Sequence, residues 1–206
     1  LELGPGMAYL GIPGERTRRV DERRGRLTRD GIRIHEAADF AGMRKAGRVA
    51  AEILDGIGPH VLPGQTTGEI DRLITGMIAA RGAVSATIGY KGYQHASCIS
   101  VNHVVCHGIP GDKVLKDGDI LNIDVTVIVE GWYGDSSRMY VAGTPSRKAE
   151  RLIQVTHDAL MRGIDAARPG ASFGDIGAAI QAHVEANRMS VVGDFCGHGL
   201  GRGFPA

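Results

Sequence analysis

In the first half of the chain, hydrophobic residues recur in two stretches at the three- and four-residue spacing of an amphipathic helix. The first stretch begins near His35 and ends at Gly58. The second begins at Thr66, which forms a capping box with Glu69, and ends at Gly82. The predicted buried positions are Val49, Ala50, Ile53, Leu54 and Ile57, and then Ile70, Leu73, Ile74, Met77 and Ile78.

Two further helices of the same kind are predicted in the second half of the chain. The third begins at Pro145, and the fourth is capped by Ser172 and Asp175. The predicted buried positions are Leu152, Ile153, Thr156, Leu160 and Ile164 in the third helix, and Ile176, Ile180 and Val184 in the fourth.

The segment 62–74, LPGQTTGEIDRLI, is repeated as RPGASFGDIGAAI at 168–180, with five identities and no gap at an offset of 106. Pro-Gly is common before capped helices, so the match could arise without duplication. The five identities without a gap favour a duplicated helix–turn–helix unit that is followed by strands of a sheet. At the same offset, the strands of the second copy would end 41 residues beyond Ala206. We therefore expect the strands of the second half to be missing.

The clearest strand pattern lies at 120–129, where every odd position is apolar and the even positions have a polar centre. Glu130 and Gly131 are suited to a two-residue turn, so 132–141 is predicted to be the returning strand of a hairpin. Short apolar runs predict further strands around 98–101 and 104–106.

The composition sets limits on the class of protein. A chain of 206 residues with 43% hydrophobic and 23% charged residues is typical of a globular protein. A net charge of +1 argues against a dedicated nucleic-acid binder, DNA included. Three cysteines without a CxxC pair argue against a disulfide scaffold or a cysteine-based zinc site. No apolar run approaches the ~18 residues of a membrane helix, so we expect a cytoplasmic protein.

The basic residues are concentrated at the start of the chain. Residues 1–34 contain eight arginines and five acidic residues, without helical or strand periodicity. We interpret 1–34 as a disordered basic arm and 35–206 as the folded domain. The arm is either an electrostatic tether to ribosomal RNA or a solvated tail, and charge runs of this kind favour the tail.

Two aspartates are brought near each other by the predicted hairpin. Asp124 occupies the polar centre of the first strand, and a lone carboxylate there is costly unless it is paired or binds a cation. With the turn at 130–131, Thr126 faces Asp135 and Asp124 faces Ser137, so the two carboxylates are diagonal neighbours. They are then suitably placed to hold two metal ions. Alternatively, Asp135 lies in a loop and merely caps a turn.

Two histidines are further candidates. His198 lies between glycines in the segment 196–203, CGHGLGRG, where the backbone can approach a ligand closely. It is either a metal ligand or a turn residue. His107 follows an apolar run and either contacts a substrate or is a satisfied histidine at a strand end. Cys98 and Cys106 are more typical of buried apolar residues than of nucleophiles.

Three segments resemble the bacterial type I methionine aminopeptidases. They are NHVVCHGIP at 102–110, LKDGDILNIDVTVIVEGWYGDSSRMYVAG at 115–143 and CGHGLGRGF at 196–204. The resemblance runs from about Glu36 to Phe204. It implies the pita-bread fold, a pseudo-two-fold α/β arrangement that agrees with the internal repeat. Residues 35–206 would then form an incomplete catalytic domain of this fold.

The resemblance also implies roles for individual residues. Asp124 matches the bidentate carboxylate of one metal ion, Asp135 matches the carboxylate that bridges both metals, and His198 matches the single histidine ligand. His107 matches the histidine that contacts the substrate near the scissile amide. The residues that match the walls of the methionine side-chain pocket are Tyr90, Tyr93, Cys98 and Phe204.

The cofactors implied are two divalent metal ions, with Co, Mn, Fe or Zn all suited to such ligands. The resemblance adds a monovalent cation near Asn102 and Val104. The sequence departs from the family at Pro205, where the family has a second active-site histidine. The family also has two later glutamate ligands, which this sequence does not contain.

The predicted function is removal of the initiator methionine from nascent chains by two-metal-assisted hydrolysis, carried out by a monomer. With three of the five expected ligands, this chain is expected to be weak or inactive. One alternative is a non-catalytic relative on the same fold that binds the ribosome or its RNA. Another is a relative that cleaves a different amino-terminal bond, such as one before proline.

Overall fold

The computed structural model describes residues 27–29 and 31–203, so most of the predicted basic arm and Phe204 lie outside the described residues. The described elements are α1 (Ala37–Ile57), α2 (Thr67–Ala80), β1 (Val84–Ser85), β2 (Ser97–Val101), β3 (Asp119–Val129), β4 (Trp132–Ala142), α3 (Arg147–Ala166) and α4 (Phe173–Ala186). Short 3₁₀ turns occur at Gly58–His60 and Tyr90–Gly92. Within this part of the chain, no helix is long and apolar enough to cross a membrane.

The described residues up to Phe40 form one unit, and those from Ala41 onward form a second. In the first unit, Leu27 and Arg33 form an isolated antiparallel bridge. The backbone N–H of Thr28 donates to the carbonyl of Ile32 at 2.8 Å, which closes a turn. The described end of the predicted arm is therefore a turn.

The sheet of the second unit is antiparallel, with β3 at its centre. β4 pairs with β3 along its whole length, and β1 and β2 pair with different parts of β3. The apolar positions of β3 form the centre of the core, as the alternation predicted. They are Leu121, Ile123, Val125, Val127 and Val129, each at most 5% exposed.

Helices α1 and α2 supply most of the remaining core. The predicted residues Ala50, Ile53, Leu54 and Ile57 of α1 and Ile70, Ile74 and Ile78 of α2 are buried. Leu73 is an exception, because it is 39% exposed and turns away from the core. Helix α1 approaches β4 closely at Gly134, where a Cβ atom would lie 2.3 Å from the backbone of Ala46. The glycine at this position is needed for the helix to lie on the strand.

Helices α3 and α4 form as predicted, and the predicted face of α4 (Ile176, Ile180 and Val184) is half-buried, but most of the predicted buried face of α3 is wrong. Leu152, Leu160 and Ile164 are 43%, 53% and 54% exposed. The residues of α3 that are buried are Val155, Ala159 and Gly163, and α4 has no buried residue. The reason is that α3 packs chiefly on α4 here, through Gly163 and the side chains of Ile176 and Ile180.

The predicted duplication is visible in the helices. Helices α2 and α4 are both 14 residues long and begin with complete capping boxes, Thr66 with Glu69 and Ser172 with Asp175. The glycine before each helix has the same left-handed backbone, with φ of 92° at Gly64 and 90° at Gly170.

The predicted strand at 104–106 does not form. Asn102, directly after β2, has a left-handed φ of 54°, and the N–H of Val104 donates to the carbonyl of Val101 at 3.1 Å. This turn takes the chain off the sheet, so Val105 is 62% exposed.

Candidate metal centre

The β3–β4 hairpin has the register that the sequence predicts. Glu130 and Gly131 form the turn, both with positive φ, as a type I′ turn requires. Asp124 pairs with Ser137, and Thr126 pairs with Asp135. The alternative in which Asp135 caps a loop is wrong, because Asp135 lies within β4.

The two carboxylates interact directly at the polar centre of the hairpin. Burial, followed by the neighbouring Asp135, raises the pKa of the Asp124 carboxyl to about 7. Asp135 is held in place by Thr126, whose Oγ1 donates to Asp135 Oδ1 at 3.0 Å. Two carboxylates in contact need a shared proton or a cation between them.

His198 reaches this pair from the glycine-rich segment 196–203. Its Nε2 lies 3.5 Å from Oδ2 of Asp135. Its Nδ1 lies 3.2 Å from the carbonyl oxygen of Gly199. The structure thus brings together all three residues that the resemblance implies as metal ligands.

The three side chains fit a divalent metal ion by their chemistry. Two carboxylates and one imidazole supply oxygen and nitrogen donors suited to Mn, Fe, Co or Zn. Burial and Asp135 raise the pKa of Asp124, and a cation between the two carboxylates would favour their charged forms. The side chains are not arranged as a ready coordination shell, because no group of three or more His, Cys, Asp or Glu residues in the described chain is placed to hold a metal.

Two of the predicted pocket residues lie beside Asp124. Cys98 pairs with Asp124 across β2 and β3. The Tyr93 hydroxyl donates to the carbonyl of Ser97 at 2.9 Å and lies 3.5 Å from the Cys98 thiol. Burial raises the pKa of both side chains. Tyr93 and Cys98 are therefore a neutral wall next to the carboxylates at neutral pH.

Tyr90 and Phe204 are the other two residues predicted to line the pocket. Tyr90 lies in the tight turn before Tyr93, with the ammonium of Lys91 5.2 Å from its ring centroid. Phe204 lies outside the described residues. Their predicted role in the pocket remains a prediction.

Asp71 holds the start of β2, next to Cys98, and was not predicted. This buried carboxylate of α2 accepts hydrogen bonds at Oδ1 from the backbone N–H of Ala96 and from the N–H and hydroxyl of Ser97. Its Oδ2 lies 3.1 Å from Nδ1 of His95. An aspartate on the edge of a hydrophobic stripe was the only sequence signal, and it does not identify partners 24–26 residues away.

His107 borders the glycine-rich segment. It has a left-handed φ of 55° and an exposed side chain, so it is not within a strand. Its ring packs edge-on against Phe195, with centroids 6.0 Å apart. The following Gly108 is pressed against β2, where a Cβ would lie 2.2 Å from the carbonyl oxygen of Ile99.

The side chain of Asn102 is already engaged. Its Nδ2 donates to Asp119 Oδ1 at 2.8 Å, and its Oδ1 accepts from the N–H of Ile120 at 3.1 Å. The monovalent cation predicted near Asn102 and Val104 stays a prediction.

Comparison with known proteins shows which family the chain resembles. Residues 41–206 match the family described as metallopeptidase family M24. The chain is 56% identical to a methionine aminopeptidase of Rickettsia prowazekii, over 84% of this chain and 67% of that protein. It is 52% identical to a methionine aminopeptidase of Escherichia coli K12, over 84% of this chain and 66% of that protein. The chain thus spans about two thirds of the length of these relatives.

Solved structures agree with these sequence matches. The crystal structure of the Rickettsia prowazekii methionine aminopeptidase superposes with a TM-score of 0.83 at 55% identity, over 84% of this chain and 70% of that one. The Thermotoga maritima methionine aminopeptidase gives a TM-score of 0.80 at 35% identity, over 83% and 69%. A prolidase from Pyrococcus furiosus, at 20% identity and a TM-score of 0.68, covers 82% and 49% and shares the fold alone.

Proposed function

Since the chain belongs to metallopeptidase family M24, among the methionine aminopeptidases, we propose that it serves to remove the initiator methionine from nascent polypeptides. The likeness to methionine aminopeptidases and to a prolidase agrees with the predicted pita-bread fold. The prediction of an amino-terminal peptidase acting before proline has weaker support, because the prolidase likeness is one of fold only.

The observation that carries the proposal is the meeting of Asp124, Asp135 and His198 at one place on the β3–β4 hairpin. These three residues would hold the divalent metal. When bound, such ions polarise the carbonyl of the scissile bond and make water a better nucleophile. Co, Mn, Fe or Zn would suit these ligands.

The chain's own residues supply binding and orientation. Tyr93 and Cys98 form one wall of an apolar pocket suited to an unbranched thioether side chain. Tyr90 and Phe204 are proposed to complete it. His107 is proposed to donate a hydrogen bond to the substrate beside the scissile amide, which would hold the peptide over the carboxylates.

Other features of the proposal rest on the resemblance. A monovalent cation is proposed to bind near Asn102 and Val104. A cytoplasmic monomer acting on nascent chains is likewise a prediction. A non-catalytic protein that binds the ribosome remains the alternative, but the relatives named above are enzymes by name and lend it no support.

Equilibrium dialysis of the 206-residue chain against Mn²⁺ tests the ligand set. Asp124→Asn, Asp135→Asn and His198→Ala should each weaken Mn²⁺ binding by more than the ~10–100-fold typical of losing a residue that only supports a ligand. The matched control is Asp158→Asn on α3, whose carboxylate is exposed and accepts from Gln154. Unchanged Mn²⁺ affinity in all three ligand variants would exclude this site as the metal centre.

A peptide panel tests the substrate class. Met-Ala-Ser should be cleaved in preference to Leu-Ala-Ser and Ala-Pro-Ser, because the pocket selects the side chain of the first residue. Preference for the proline peptide would instead support the other amino-terminal peptidase.

A further inference from the structure

The glycine-rich segment 196–203 carries His198 but has little packing of its own. Its residues are mostly exposed, and half of them are glycines. Glycine loses more conformational entropy on folding than any other residue, so a segment of this composition does not hold a fixed geometry by itself. What fixes His198 next to Asp135 must therefore be contacts between the segment and the rest of the fold.

The segment contacts the start of β4 at three points in antiparallel order. The Arg202 guanidinium lies over the Trp132 ring, 4.1 Å from the centroid. The N–H of Tyr133 donates to the carbonyl of Gly201 at 3.0 Å. His198 then reaches Asp135 at 3.5 Å. The segment therefore lies alongside β4, and Arg202 and His198 are at the two ends of the contact.

Trp132 is a rigid platform for this contact. It is 4% exposed, and its indole lies on α1 at Gly42, where a Cβ atom would be 2.3 Å from the ring nitrogen. Arg202 is also guided by the β3–β4 turn, because its Nη1 lies 3.5 Å from the carbonyl oxygen of Glu130. The cation is thus held by the β3–β4 turn and by an indole that itself lies against the helix.

We propose that Trp132 and Arg202 are positioning residues for His198, and that their cation–π contact fixes the glycine-rich segment so that the imidazole meets Asp135. The consequence for metal binding rests on the proposed function, because it assumes that His198 is a ligand. The positioning itself does not. A cation over an indole face is the favoured geometry of this interaction, and the nearby backbone hydrogen bond alone would leave the segment free to pivot about Gly201.

The first test uses the metal-free chain and needs no activity. Nuclear Overhauser contacts between the His198 ring and the β4 residues at Asp135 should be present in the unaltered chain. They should be lost in Arg202→Gln and retained in Arg162→Gln, a matched exposed arginine on α3. Arg202 lies at the surface, so the variant should fold, and its far-UV circular dichroism checks this. Persistence of the contacts in Arg202→Gln overturns the proposal.

The second test uses the single tryptophan of the chain, Trp132, as a reporter. Removing the stacked guanidinium uncovers one face of the indole, so acrylamide quenching of its fluorescence should increase in Arg202→Gln. Arg202→Lys should restore part of the protection, because it keeps the charge but not the planar stack. Equal quenching in the unaltered chain and Arg202→Gln would contradict the stacked geometry.

The third test separates positioning from general damage. Arg202→Gln should weaken Mn²⁺ binding about tenfold, within the range seen when a ligand loses its support. Adding Arg202→Gln to His198→Ala should cause no further loss, because the arginine acts through that histidine. A further loss in the double variant would overturn the proposal. An unaltered Mn²⁺ affinity in His198→Ala would instead refute the proposed ligand role and leave the positioning to the first two tests.

Discussion

At the scale of single residues, the site depends on where side chains are absent as much as on where they are present. Gly134 precedes Asp135 in β4 and lies directly under the backbone of Ala46 in α1. Any side chain there would lift the helix from the strand next to the candidate ligand. Gly47, one position along from Ala46, has open space around its own Cβ position and forms a natural comparison.

We expect Gly134→Ala to destabilise the chain by about 1–3 kcal/mol, the usual cost of overpacking. Gly47→Ala should stabilise it by up to about 1 kcal/mol, because alanine is the better helix former. Urea unfolding followed by Trp132 fluorescence measures both. Equal effects of the two substitutions would show that α1 does not contact β4 as described.

Asp71 links α2 to the start of β2, next to Cys98, through a set of hydrogen bonds. Asp71→Ala would leave the buried N–H groups of Ala96 and Ser97 without an acceptor. Each unsatisfied donor should lower the free energy of unfolding by about 1–3 kcal/mol. We also expect faster alkylation of the Cys98 thiol, since Ser97 and Tyr93 would loosen around it. Peptide-resolved mass spectrometry distinguishes Cys98 from the other thiols, and Asp112→Ala is the exposed control. A Cys98 rate like that of the control would show that Asp71 does not hold the structure around Cys98.

The residue pairs differ in how far sequence could predict them. Asp124 and Asp135 were predicted to be neighbours because a two-residue turn fixes the register of the whole hairpin. The contacts of Asp71 with Ser97 and of Arg202 with Trp132 join parts of the chain with no local periodicity between them. They depend on how whole elements pack, which a pattern of apolar positions does not specify.

At the scale of elements, sequence predicted the structure reliably where a capping hydrogen bond or a two-residue turn specifies the local backbone. Both capping boxes and the hairpin turn form where predicted. The short apolar run at 104–106 lacks such a signal and is not a strand. A short run of apolar residues is compatible with a strand or with an irregular segment. Here the turn at Asn102 takes the chain off the sheet, so no strand forms.

The capping box of α2 predicts a dependence of stability on pH. Hydrogen bonds from the Thr66 backbone and side chain lower the pKa of Glu69 below its ordinary value of 4.5. A lowered pKa in the folded state means that the stabilisation is complete above about pH 4.5 and is lost as the pH falls through the lowered value.

We therefore expect the unaltered chain to lose more stability below pH 4.5 than Glu69→Gln, which keeps an acceptor oxygen but does not titrate. Urea midpoints between pH 3 and pH 6 provide the measurement. Glu185→Gln, on the exposed face of α4, is the control and should follow the unaltered chain. Parallel curves for Glu69→Gln and the unaltered chain would contradict the role of this carboxylate.

At the scale of the whole molecule, the family and the first part of the described fold could be predicted from sequence. The first pair of helices, the central strand and the hairpin were predicted because each buries a periodic apolar face within the described residues. The buried face of α3 was mispredicted, because periodicity shows that a helix has an apolar side and not what covers it.

The ligand count predicts the activity of the 206-residue polypeptide. It contains three of the five metal ligands that the resemblance implies, and it lacks the glutamate expected to act as acid or base. Loss of such a group typically costs ~10²–10⁴-fold in rate. We expect Met-Ala-Ser turnover to be reduced by at least this factor relative to the Escherichia coli relative assayed in parallel. Comparable turnover would show that other residues replace the missing ligands.

The similarity of helices α2 and α4 has a consequence for local unfolding of the molecule. The two helices have the same length, the same kind of N-terminal cap and a glycine at the same position before the helix. Helix α2 nevertheless has several buried residues, whereas α4 has none. The two helices therefore have the same local helix signals and differ in their tertiary packing. Amide hydrogen exchange would then separate the two contributions directly, with α2 exchanging only on global unfolding and α4 exchanging through local opening. The difference in their protection factors measures what packing adds to a helix that is already well capped.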